Sequence, residues 1–108
     1  YKDIKLLTSE LNVDIAKMKD ISFSLIQKYP NLCLALATRN NKKIILNVGF
    51  SKQLIQDRNL NASKIINKVG VHINAKGGGQ PFFSVASGDK IKGIEQVFKD
   101  FEQIIIGF

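Results

Sequence analysis

The side chains that carry most covalent and metal chemistry are scarce in this chain. Cys33 is its one cysteine and His72 its one histidine among 108 residues. That supply argues against a Cys/His zinc site, which needs several such ligands, and against a Ser-His-Asp triad. Cys33 has no partner for an internal disulfide. It sits in the apolar run LCLALAT, where it reads as a small buried hydrophobe suited to a reducing cytoplasm. No catalytic residue, metal ligand or cofactor is expected on these grounds.

Binding chemistry is better represented. Asn74 to Asp89 reads NAKGGGQPFFSVASGD. Three successive glycines, Gly77, Gly78 and Gly79, open the backbone to close approach, at a cost in conformational entropy on folding. Lys76, Gln80, Ser84 and Ser87 place polar groups beside those amides, a set suited to a phosphate, a ribose or a nucleotide end. Phe82 and Phe83 suit either stacking on a base or packing in the core. The stretch has neither the strand–GxxxxGK[ST]–helix order of a P-loop nor the GxGxxG spacing of a dinucleotide site. Its plainer reading is a loop that ends a helix, with Gly77 near a left-handed cap position, and the residues leave both readings open.

Charge points to an anionic partner. Sixteen Lys and Arg stand against nine Asp and Glu, for a net charge of +7. Between Lys52 and Lys92 the imbalance sharpens: Lys52, Arg58, Lys64, Lys68, Lys76, Lys90 and Lys92 face only Asp57 and Asp89. A field of one sign attracts polyanions, and nucleic acid is the commonest of these in a cytosol. The candidate binding set is therefore Lys64, Lys68, Lys76, Gly77, Gly78, Gly79, Gln80, Lys90 and Lys92.

These groups must be held by a small set of elements. Residues 3–9 read as a short strand. Ile15, Met18, Ile21, Leu25 and Tyr29 recur at helical spacing, with Asn12 or Asp14 as N-cap, Pro30 as stop, and Lys17, Lys19, Asp20 and Lys28 outward. NLCLALATR and KKIILNVGF are apolar enough for central strands covered on both faces. Asn40-Asn41 between them signals a two-residue hairpin turn, with Arg39, Lys42 and Lys43 at its tip. SKQLIQDRNL reads as a short helix capped by Ser51. A helix capped by Asn61 follows, with Ile65, Ile66, Val69 and Ile73 inward and Lys64 and Lys68 sharing a face. FFSVAS is a further short strand, and Gly88-Asp89 leads into a last helix striped by Ile94, Val97, Phe98, Phe101, Ile104 and Ile105. The result is a single α/β domain: a mixed sheet with an antiparallel hairpin, a parallel pair joined across the first helix, and three to four packed helices. No run approaches the roughly 18–20 apolar residues that span a bilayer, so no membrane partner is expected. The chain opens Tyr-Lys-Asp-Ile-Lys without an initiator Met or an apolar leader, which predicts a piece cut from a longer protein.

Ala62-Ser63-Lys64-Ile65-Ile66, then Gly77-Gly78-Gly79-Gln80-Pro81, then Ala86-Ser87-Gly88 resemble the C-terminal part of alanyl-tRNA synthetase. That part carries the DHH-associated domain, also found behind the catalytic domain of DHH phosphoesterases. KLLTSELNVDIAKMKDISFSLIQKYP, the hairpin LALATRNNKKIILNVGFSKQL and the closing helix fall in the family's order, so the resemblance spans almost the whole chain. It departs in the glycine run, whose first half is occupied by Asn74, Ala75 and Lys76, and at Phe82, where an acidic residue is usual. Gln80 stands where the phosphoesterase branch keeps a substrate-holding histidine, and no Asp-His-His motif is present. Both points favour the synthetase branch. The resemblance implies a non-catalytic domain that helps hold tRNA(Ala) for aminoacylation and editing, partnered by upstream catalytic and editing domains of the same chain, in the cytoplasm. In some members it implies a role in dimerisation. Ile104-Ile105-Ile106 with Phe108 supports that alternative by leaving more apolar surface than one helix face buries, and a substrate-binding domain of a DHH-type phosphoesterase is the third reading.

Overall fold

Alternation along the two apolar runs decides how the layers stack. The computed structural model describes residues 4–107. β2 (Leu32–Asn40) and β3 (Lys43–Phe50) are buried along nearly their whole length. Successive strand side chains point to opposite faces. Cys33, Ala35 and Ala37 therefore enter one core, and Leu32, Leu34 and Leu36 enter another. α1 (Ile15–Lys28) covers the leucine face, while α3 (Ala62–Val69) and α4 (Ile94–Ile106) supply Ile66, Val69, Val97 and Phe101 to the side of small residues. Small side chains beneath α4 leave room for Phe101, whose ring stacks on Phe50 at 6.2 Å between centroids. The outcome is a sheet sandwiched between helices.

Among the described residues the sheet has five strands, ordered β1-β2-β3-β5-β4. β1 (Lys5–Leu11) runs parallel to β2, with Lys5 opposite Leu32, as the crossover through α1 requires. Asp3 of the expected strand lies outside the described residues. β2 and β3 form the antiparallel hairpin, but its closing pair is Asn40–Lys43. The turn is thus Asn41-Lys42 rather than Asn40-Asn41, because Asn41 is the residue that adopts the left-handed conformation, at φ 60°.

Asp14 caps α1 by accepting from the Lys17 N–H at 2.7 Å. The expected face of α1 packs on the core through Met18, Ile21, Leu25 and Tyr29, but it is turned so that Ser22 and Ile26 are buried more deeply and Ile15 is left out. Met18, Ser22 and Ile26 are buried, Ile21 and Leu25 only partly so, and Ile15 is 39% exposed. A polar cross-link explains the rotation. Asn47, buried in the middle of β3, donates its amide to Ser22 Oγ at 3.3 Å, and Ser22 Oγ donates to the Met18 carbonyl at 2.8 Å. A buried amide left without such a partner would cost about 1–3 kcal/mol.

α2 (Lys52–Arg58) forms as expected, but Ser51 does not cap it. The Ser51 hydroxyl donates to the Tyr29 carbonyl and accepts from the Leu32 N–H, tying the end of α1 to the start of β2. In α4, Ile94, Val97, Phe101 and Ile105 are buried, and Phe98 and Ile104 pack partly against the same core. Of the apolar surplus expected at its end, Ile106 is exposed, at 41%; Phe108 lies outside the described residues. Among the described residues no helix is long and apolar enough to cross a membrane.

Candidate nucleic-acid interface

The glycine run is a strand, not a loop. β4 (Lys76–Gln80) pairs antiparallel with β5 (Phe83–Gly88) at one end of the sheet, and all its residues are exposed. Nor does Gly77 cap the preceding helix. A 3-10 turn over Gly70–Ile73 follows α3 and ends at Asn74, whose φ of 55° supplies the left-handed residue. With Asn74 in that role, the chain is already extended when it reaches the glycines.

Sterics explain two of the three. A Cβ at position 77 would lie 2.0 Å from the Val85 carbonyl oxygen, and one at position 79 would lie 2.4 Å from the Phe83 carbonyl oxygen. Gly77 and Gly79 are needed for β4 to sit this close to β5. A Cβ at position 78 would meet nothing nearer than Ser63 Oγ, at 3.5 Å. Packing therefore leaves Gly78 unexplained.

α3 lies alongside β4 and is tied to the β4–β5 hairpin at two places. Asn61 caps the helix by accepting from the N–H groups of Ser63 and Lys64 at 3.0 and 3.2 Å. Ala62 N–H donates to the Pro81 carbonyl at 2.8 Å, and Ser84 Oγ donates to the Ala62 carbonyl at 2.8 Å. Further along, Gly77 N–H reaches Asn67 Oδ1 at 3.4 Å. Ile65, Ile66 and Val69 face the core and Ser63 and Asn67 meet the glycines, which leaves Lys64 and Lys68 exposed on the helix that borders the glycine strand.

The expected set is thus partly assembled. Lys64, Lys68, Gly77, Gly78, Gly79 and Gln80 occupy α3 and its neighbouring edge strand, and Lys76 opens that strand opposite Ser87. Lys90 joins this corner, its N–H donating to the Ile73 carbonyl at 3.1 Å, while Asn74 and Asp89 are linked at 3.3 Å. Lys92 instead lines a hollow with Glu10, Arg39 and Glu95, where Arg39 Nε donates to Glu10 at 2.6 Å. Two expected ligand groups are spent on the fold: Ser84 is buried and bonded to Ala62, and Phe83 is 7% exposed and packs on Phe23 at 4.5 Å. Phe82 stays partly exposed, with Lys52 Nζ 5.2 Å from its ring centroid. Lys52 beside Phe82 was outside the expected set, since the two are thirty positions apart and only the β3–β5 pairing joins them.

The chain's nucleophile and imidazole sit elsewhere. Burial pushes the Cys33 thiol up to about 12, so it stays protonated. His72 Nε2 lies 2.5 Å from Asp100 Oδ2, and Gln96 Nε2 donates to Asp100 Oδ1 at 2.8 Å. The hydrogen bond from His72, then that from Gln96, holds the Asp100 carboxyl below its ordinary range.

What these features define is an α/β domain with an exposed, side-chain-free edge strand flanked by lysines. The DHHA1 domain family matches residues 3–107, and the chain belongs to that family. The alanine–tRNA ligase of Christiangramia forsetii is 30% identical over 102 residues, covering 94% of this chain and 12% of that protein. The alanine–tRNA ligase of Cytophaga hutchinsonii is 32% identical over 104 residues, with 95% and 12% covered. That of Fervidobacterium nodosum is 34% identical over 107 residues, with 97% and 12% covered. The chain thus spans about 12% of the length of these curated relatives. The crystal structure of the C-Ala domain from Aquifex aeolicus alanyl-tRNA synthetase shares the fold, with a TM-score of 0.86 at 24% identity over 94% of this chain and 91% of that one. The mixed α/β architecture and the family expected from the sequence both stand.

Proposed function

We propose that this chain is the C-terminal, tRNA-binding domain of an alanine–tRNA ligase, holding tRNA(Ala) while upstream domains of the same polypeptide aminoacylate and edit it. Residues 1–108 form one such unit, and its contribution is binding rather than chemistry. The observation that carries the reading is the glycine edge strand beside Lys64 and Lys68. A backbone without side chains lets an RNA strand approach its amides, and the flanking ammonium groups neutralise phosphates. Lys76, Gln80 and Lys90 extend the same surface, while Lys92, in its separate hollow with Glu10 and Arg39, adds only to the overall positive field. A net charge of +7 supports the polyanion in sign, and a buried, unreactive Cys33 supports a reducing cytoplasmic setting.

A fluorescence titration with a tRNA(Ala) transcript over a salt series tests this. With roughly four neutralised phosphates, log K should fall against log salt with a slope of about −3. Lys64→Glu with Lys68→Glu should weaken binding by about tenfold for each phosphate left without its lysine near 0.1 M salt. The melting temperature should hardly move, because exposed charges contribute little to folding and the acid gained in the first turn of α3 offsets the base lost from its last turn. A flat salt response would refute the proposal.

A further inference from the structure

Phe82 differs from its neighbour in a way the core does not require. We propose that the cleft beside it receives an unpaired base of the bound RNA, stacked on the Phe82 ring. This inference rests on the RNA-binding role above and adds a base site to the phosphate surface of β4 and α3.

The cleft has a volume of about 520 Å³ and lies where the end of α1, the end of β3, the start of α2 and the β4–β5 turn converge. That is within the usual range for a site that encloses a small ring system. Phe23, Ile26, Pro30 and Phe82 give it apolar walls, and Lys52 and Gln53 stand on one side. The aromatic floor is held in place. Phe23 lies 6.4 Å from Phe82 and 4.5 Å from the buried Phe83. The carbonyl of Phe82 accepts from the Phe50 N–H, and that of Pro81 accepts from the Ala62 N–H, both at 2.8 Å. Such preorganisation lowers the ordering cost of binding.

The charges select the occupant. Lys52 Nζ lies 5.2 Å from the Phe82 centroid and Lys19 Nζ 5.9 Å from that of Phe23, while among the described residues no carboxylate lines the cleft. Ammonium groups over aromatic faces fit a ligand that presents a flat π-system and a phosphate together. The amides of Gln27 and Gln53 offer a donor and an acceptor each to a base edge. β4 ends at Gln80 and Phe82 lies within roughly 10 Å of Gly79 along the chain, on the α1 side of the sheet, so an RNA strand running along the glycines would reach it by rounding the β4–β5 turn.

The test uses the whole chain and a single-stranded RNA octamer carrying one 2-aminopurine, whose fluorescence falls when the base stacks. Wild-type protein should quench the probe on binding. Phe82→Leu, which keeps apolar bulk but removes the ring, should abolish the quenching and weaken affinity by about tenfold. Phe82→Tyr should retain both, and Lys52→Gln, an exposed change that leaves the fold alone, should weaken affinity. Lys64→Glu with Lys68→Glu should lower affinity yet leave the quenching of the bound fraction intact. If Phe82→Leu and Lys52→Gln both bind and quench like wild type while the Lys64/Lys68 variant binds weakly, the cleft proposal is overturned and the RNA-binding role stands. If wild type binds no RNA, both fall. Protection of the cleft by an apolar peptide but not by the octamer would make it a protein-docking groove and also overturn the proposal.

Discussion

Gly77→Ala and Gly78→Ala differ by one position and should differ in sign. The methyl group at position 77 would lie 2.0 Å from the Val85 carbonyl oxygen and 2.6 Å from Ala86 Cα. A carbon and a carbonyl oxygen normally settle at about 3.3 Å or more, so β4 would have to move by over about 1 Å relative to β5. The obstacles are backbone atoms, which cannot swing aside as a side-chain tip does. Overpacking of this kind costs about 1–3 kcal/mol, and a backbone obstacle places Gly77→Ala near the upper end. For a domain of this size, about 3 kcal/mol lowers the melting temperature by roughly 12 °C. At position 78 the nearest atom is Ser63 Oγ at 3.5 Å, an ordinary van der Waals distance. Replacing glycine there restricts the unfolded chain and should stabilise by about 0.4–1 kcal/mol, a rise of roughly 2–4 °C. Calorimetric melts of the two variants give the comparison. Melting temperatures for the two within about 2 °C of each other would refute the steric account of the glycine strand. The same pair then informs function: Gly78→Ala, stable and folded, should bind tRNA more weakly if the strand's backbone meets RNA.

Three further outcomes follow from the geometry. Asn61→Ala removes the cap that serves the N–H groups of Ser63 and Lys64, and should lower stability by about 1 kcal/mol in denaturant titration without changing the slope. Cys33, held protonated to about pH 12, should resist alkylation in the native protein at pH 8 and react on unfolding. Because its folded pKa is raised, stability should fall as pH rises from the ordinary thiol range toward 12, and Cys33→Ala should flatten that alkaline loss. Asp100 has the opposite sign: with its folded pKa depressed, the stabilisation from His72 and Gln96 is present above the ordinary aspartate range and lost as pH falls through the folded value. Asp100→Asn should therefore make the acid side of a Tm-against-pH curve shallower, by a small amount given its exposure.

The elements legible in the sequence were those whose pattern and burial obey one rule. α3 shows this: Asn61, Ile65, Ile66 and Val69 fix cap, face and direction together, and the outward placement of Lys64 and Lys68 follows with no tertiary information. Where tertiary contacts compete with pattern, the reading shifts. α1 turned to bury Ser22 because Asn47 needs a partner, and no periodicity in α1 reports a residue on β3. β4 is the extreme case. A strand is recognised by side chains that alternate, and Lys76–Gln80 has none between its ends to alternate. Its strand character comes from β5, from Asn74 taking the left-handed position, and from α3 meeting Gly77 through Asn67. The property that hid the strand also gives it a use, since an edge without side chains is one that another backbone can approach. Such an edge ordinarily invites pairing with other chains and is blunted by charge, bulges or cover. Here Asn67 of α3 occupies the Gly77 N–H and Lys76 adds a charge, so the lysines that would hold a phosphate chain also disfavour a second strand. Gly78, which no packing neighbour in the fold requires, is the residue through which binding and folding can be told apart.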